Sequence, residues 1–196
     1  MRPAVKRRLV TLAAVASLVL CIGSVALFVT FGALPAVRGQ EKAAIAKAHL
    51  EYGPITLAAN CVGNFARGRS WYLSVNSAGQ AELTISGRDP IQFHVPQDQW
   101  KAFRSALSEQ RFFELAEEYG EVVPDSSSQA LTVTAGDVTK TVRVRFLMNW
   151  VQRDRAKLVE PARAVRLLMA VRGWIPDAEA ADLRPYDQRV LDAAPK

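Results

Sequence analysis

Apolar and polar positions divide this chain into three regimes. From Leu9 to Val37 the run is apolar and carries no charge, with about 25 residues before its only proline, Pro35. At about 1.5 Å per residue such a helix reaches about 37 Å, more than a hydrocarbon core of about 30 Å. Residues 38–53 are alanine-rich with scattered charge (Glu41, Lys42, Lys47), which predicts a helical stalk or linker. From Pro54 the period becomes two. Ile55 and Leu57 alternate with Thr56 and Ala58, and Trp71, Leu73 and Val75 with Tyr72 and Ser74. Ala81, Leu83 and Ile85 alternate with Glu82 and Thr84, and Ile91, Phe93 and Val95 with Gln92 and His94. Alternation of this kind predicts strands with one buried and one wet face. Asn76-Ser77-Ala78-Gly79 reads as a hairpin turn.

Pro96 opens a helix whose apolar positions are Trp100, Phe103, Ala106 and Leu107. Phe112, Phe113 and Leu115 follow, then a polar loop from Gly120 to Ser128. A second hairpin turns at Ala135-Gly136-Asp137. The closing helix is expected over roughly 155–172, with Pro161 marking a kink or a later start and Gly173 as its C-terminal cap. Trp174 and Ile175 are expected to fold back on the core, and residues 177–196 to form a flexible tail. The fold class is α+β: an N-terminal transmembrane helix, then one domain with an antiparallel sheet of about five to six strands and helices on one face. The organisation is a basic tail (1–8), an anchor (9–37), a stalk (38–53), the α+β domain (54–176) and the tail (177–196).

Charge sharpens the topology. Arg2, Lys6, Arg7 and Arg8 precede the apolar run and belong on the cytoplasmic side, placing the domain outside the cytoplasmic membrane. The chain carries +6, but four basic residues lie in that tail and every acidic residue follows it, so the remainder nets +2. The pI of about 9.6 is therefore poor support for nucleic-acid binding. The expected partners are the lipid bilayer and an envelope protein or anionic surface component. A secreted form, cleaved after Ser24-Val25-Ala26, is the alternative topology. Cys21 lies within the apolar run and Cys61 in the domain, so no intrachain disulfide is expected.

Motifs for phosphate loops, CxxC, HExxH, GxSxG or EF-hands do not occur, and neither a cofactor nor a metal is expected. His49 falls in the stalk and His94 on a wet strand face. Cys61 with His94 is the one conceivable nucleophile–base pair, the basis of a hydrolase or thiol-dependent alternative. Glu114, Glu117, Glu118, Glu121 and Asp125 form an acidic stretch without EF-hand order. Lys140, Arg143 and Arg145 are taken to share a wet strand face that could meet an anionic component. Leu147 and Trp150 break the alternation, and whichever points outward makes an apolar contact patch. Leu147, Trp150, Arg143 and Arg145 are thus the candidate binding residues.

Asn60-Cys61-Val62-Gly63, Trp71-Tyr72-Leu73-Ser74-Val75-Asn76 with Gly79, Arg111-Phe112-Phe113-Glu114-Leu115 with Tyr119, and Gly173-Trp174-Ile175 together carry a resemblance. From Pro54 to Ile175 the chain resembles a family of uncharacterised bacterial envelope domains, domain of unknown function 6438. The resemblance implies a strand, a cysteine loop, a hairpin, a helix, a double-phenylalanine turn, a second hairpin and a closing helix. It implies no activity. Where that family often has a second cysteine followed by proline, Phe65 and Ala66 stand here, so no disulfide or thiol role carries over. The expected function is a non-catalytic binding module held at the envelope by a single-pass anchor.

Overall fold

Alternation becomes sheet wherever the sequence repeats it. The computed structural model describes residues 41–62, 70–124, 126–176 and 188–195. Its strands are β1 (Ile55–Val62), β2 (Trp71–Val75), β3 (Gln80–Ile85), β4 (Ile91–His94), β5 (Glu118–Tyr119), β6 (Ser128–Ala135) and β7 (Val138–Val144). They form one sheet in the order β4-β3-β2-β1-β6-β7-β5. The two hairpin groups meet at its centre, where β1 pairs antiparallel with β6 from Ile55↔Ala135 to Val62↔Ser128. Ile55, Leu57, Ala59, Leu73, Leu83, Leu131, Val133 and Val142 all point to the buried face, as a period of two requires.

Helices cover that face. They are α1 (described over residues 41–52), α2 (Gln97–Glu109), α3 (Met148–Arg153), α4 (Val159–Arg172) and α5 (Gln188–Ala193). Trp100, Phe103 and Leu107 of α2 are buried, as their spacing predicts. Trp174 packs edge-on against Phe103, with ring centroids 4.9 Å apart, and closes the core behind α4. Pro161 falls in the first turn of α4, just after a 3-10 turn over Arg155–Leu158, so it marks a later helix start rather than a kink.

The structure corrects the expected fold in several places. Tail 1–8 and anchor 9–37 lie outside the described residues, as does the considered cleavage site. Among the described residues no helix is long and apolar enough to cross a membrane. The longest, α4, has 14 residues, reaches about 21 Å and carries Glu160, Arg163, Arg166 and Arg172. The transmembrane and signal-anchor architecture, and the single-pass inner-membrane location and extracytoplasmic placement that depended on it, therefore find no support among the described residues. What the chain folds into is an α+β domain on a seven-strand mixed sheet. The sheet is mixed because β5 runs parallel to β7, pairing Glu118 with Arg143 and Tyr119 with Val144. Two residues are too few to show alternation in a sequence.

Residues 42–52 are not a free stalk, because Ala46 and Leu50 are buried in the core. The far end is not all tail either: Val190 of α5 is fully buried, while residues 177–187 lie outside the described residues.

Candidate functional site

One side of this sheet carries no helix-facing apolar set. Its outward residues are Thr56, Ala58 and Asn60 on β1, Tyr72 and Ser74 on β2, Gln80, Glu82 and Thr84 on β3, Gln92 and His94 on β4, and Thr132 and Thr134 on β6. A shallow groove of about 760 Å³ runs over this face, with Tyr72, Ser74, Gln80, Gln92, His94 and Thr132 among its lining residues. Tyr72 is its aromatic centre, 46 % exposed, with Asn60 and Thr84 beside it on the neighbouring strands.

The groove's end is built by the β2–β3 turn. The Asn76 side-chain oxygen accepts from the backbone N–H of Ala78 and of Gln80, each at 3.0 Å, and its amide donates to Gln80 Oε1 at 2.7 Å. Gly79 takes φ +81°, a left-handed conformation, and a Cβ there would stand 3.3 Å from His94 Cε1. The local turn chemistry thus seats His94 at the groove's rim. Hydroxyls are laid out in pairs toward the other end: Thr132 Oγ1 meets Thr141 Oγ1 at 2.8 Å, and Thr134 meets Thr139 at 2.9 Å. Glu82 is the one carboxylate lining the groove, and it accepts a long 3.5 Å bond from Gln92 Nε2.

The four candidate binding residues singled out in the sequence lie elsewhere. Leu147 is fully buried, so it offers no exposed patch. Trp150 belongs to α3 and is half-buried. Its indole N–H donates to Glu121 Oε1 at 3.2 Å, while Asn149 Nδ2 donates to Glu121 Oε2 at 2.6 Å. Lys157 Nζ stands 5.9 Å from the centre of the same ring. This segment is a latch between α3 and the chain after β5, because the break in alternation is the start of a helix. Arg143 on β7 and Arg145 just beyond its end have the parity of the outward face, but Arg145 is ion-paired with Glu118. Lys140 lies on the opposite face, three residues from Arg143 where a shared face needs an even spacing. It opposes buried Val133 and sits 3.9 Å from Glu117 Oε1. The parity of its number was the signal for this.

Cys61 and His94 do not come together. Cys61 opposes Trp71, which opposes Ile85, on the buried face. His94 opposes Gln80 on the wet face, at the other end of β3. The acidic stretch is likewise distributed among partners: Glu114 pairs with Arg111, Glu117 with Lys140, Glu118 with Arg145, and Glu121 with Asn149 and Trp150. Asp125 lies outside the described residues. Among the described residues no group of three or more His, Cys, Asp or Glu is placed to hold a metal ion.

One phenol is strongly perturbed. Tyr119 Oη accepts from the Ala116 N–H at 2.8 Å and donates to Glu160 Oε2 at 3.0 Å. Burial, opposed by the Ala116 bond and helped by Glu160, pushes its pKa up to about 12. It ties β5 to α4 and is far from the groove in the sheet order, so its role is structural.

No family model matches the chain, and no curated protein matches it. The functional reading therefore rests on the groove's own chemistry.

Proposed function

We propose that this domain is a non-catalytic binding module whose bare sheet face takes an uncharged, hydroxyl-rich ligand, a saccharide chain. The observation that carries this reading is the polar part of the groove's lining: hydroxyls, amides, His94 and one exposed tyrosine, with a single carboxylate, beside apolar Leu57, Val75 and Phe93. Hydroxyl and amide side chains both donate and accept, which matches the hydroxyls of a sugar. An exposed aromatic ring adds a flat apolar platform with a polar tip. The volume is within the range of ligand sites, and the strands beneath are hydrogen-bonded neighbour to neighbour. An anionic partner is less well matched, since Arg145 is already neutralised by Glu118 and Lys140 lies on the other face.

The test is a panel of neutral and acidic oligosaccharides, followed by calorimetry on any that bind. Tyr72→Ala is expected to weaken binding about tenfold or more, equivalent to about 1.4 kcal/mol. Arg143→Ala is expected to leave it unchanged. Binding of no neutral saccharide, or binding indifferent to Tyr72→Ala, would remove the reading.

A further inference from the structure

The sheet ends on β4, which pairs with β3 alone among the described residues. Val95 N–H donates to the Gly79 carbonyl at 2.9 Å, and Phe93 and Ile91 stand opposite Ala81 and Leu83. In an antiparallel pair a residue turns its N–H and C=O to one side, and the next residue turns them to the other. Val95, Phe93 and Ile91 therefore bond to β3, while Gln92 and His94 direct their backbone groups to the open edge. Neither of those N–H groups enters a turn or loop bond with another backbone group among the described residues.

Three observations bear on what covers this edge. Pro90 to Gln97 holds no charged residue, whereas open edges are commonly guarded by charged side chains. The far edge differs, since β5 has only two residues and one of them is Glu118. Next, Ile91 and Phe93 have the parity of the core face yet stay half-buried, while Leu83 and Ala81 opposite them are buried. The cover of the core stops short of the last strand. Finally, Pro90-Ile91-Gln92-Phe93-His94-Val95-Pro96 is a palindrome in residue class about Phe93. A strand that meets its own copy across a two-fold axis needs this self-complementarity, because every residue i facing j is matched by j facing i.

We propose that two copies of this chain pair antiparallel along β4, about a two-fold axis at Phe93. Gln92 then faces the partner's His94 and exchanges both backbone N–H···O bonds with it, so each outward N–H finds a carbonyl. Ile91 faces the partner's Val95. Phe93 meets the partner's Phe93 as a close, non-hydrogen-bonded pair and covers the half-buried strip. Pro90 falls opposite the partner's Pro96, and with no N–H on either the ladder stops there without stranding a donor. Each flank has one base and one acid, Arg88 with Asp89 and Lys101 with Asp98, so pairing gathers no excess of like charge. The contact uses up the edge that makes it, and the assembly closes at two copies instead of growing into a fibre. Pairing is independent of the saccharide reading. It also extends the first copy's groove by the partner's Gln92 and the partner's His94, since these two residues line the groove's β4 side.

The test reads amide exchange at Gln92 and His94 in the full chain as its concentration rises. A ladder of four residues a side is small for an interface, and a Kd of about 100 μM is expected. Exchange at both amides should then slow about fourfold between about 10 μM and about 1 mM, as the sedimenting mass rises toward that of two copies. A chain with both Gln92→Lys and His94→Lys sets like charges across the axis, at exposed positions that leave the bonds to β3 in place. It is expected to show no slowing at the highest concentration, while protection of its Phe93 amide reports that it is folded. Mixing it with an equal amount of the chain carrying Gln92→Glu and His94→Glu should restore the slowing. Exchange at Gln92 and His94 that ignores chain concentration, as for an edge that takes a foreign strand, overturns the proposal. So does slowing that persists in the lysine chain or fails to return on mixing.

Discussion

Tyr119 shows how one side chain reports its surroundings. Its phenol is buried, bonded to Ala116 and Glu160, with a pKa pushed up to about 12 from an ordinary value of about 10. Below about pH 10 the phenol keeps its proton in both native and unfolded chains and adds no pH dependence. Between about pH 10 and 12 the unfolded chain releases the proton while the native one holds it, so stability falls as pH rises. Denaturant melts across that window are expected to show a gentler decline for Tyr119→Phe than for wild type; parallel slopes would mean that burial does not hold the phenol neutral. At Leu147 and Trp150 the expected consequences also diverge. Leu147→Ala empties a fully buried position and is expected to cost about 2–5 kcal/mol in the same melts. Glu121→Ala leaves the Asn149 and Trp150 donors unmet and should cost about 1–3 kcal/mol. A Leu147→Ala change within about 0.5 kcal/mol of wild type would show that the site is not core.

At the scale of elements, the least expected feature is how α1 is held. Arg104 of α2 donates to the carbonyls of His49, Leu50 and Gly53, at 3.1, 2.9 and 2.8 Å. A guanidinium thereby fills the role of a C-terminal cap and completes the last turn of α1. Arg104→Ala is expected to cost about 2 kcal/mol and to speed amide exchange in residues 42–52 more than in β1 or β6. Equal protection in both proteins would show that α1 is held by its apolar contacts alone. None of this was legible in the sequence, because the alanine-rich stretch looks the same whether it is packed or free, and Arg104 is 51 to 55 residues from its acceptors. The strands were legible because each carries its own alternation, and α2 because Trp100, Phe103 and Leu107 recur at helical spacing. The pairing of β1 with β6, two-residue β5 and the six-residue α3 were not, since each depends on contacts distant in sequence or is too short to show a period. The groove was half legible: Thr56, Tyr72, Ser74 and His94 could be assigned outward, but only the strand order brings them to one face.

For the whole molecule, the sheet divides two environments. One face buries an apolar core under helices, and the other presents hydroxyls, amides and Tyr72 to solvent. Cys61 and His94 stand on opposite sides of that division, so the chemistry one would give the other cannot be assembled without breaking the sheet. From the same division comes the central claim, that the bare face is where this protein binds. The most direct test is a backbone NMR footprint of the full chain against a neutral oligosaccharide that the binding panel retains, or against the panel pooled if none is retained singly. The expected footprint covers Tyr72, Ser74, Gln80, Gln92 and Thr132, and leaves α4 unmoved. A footprint confined to the helical layer, or no saturable footprint with any neutral saccharide, would contradict it.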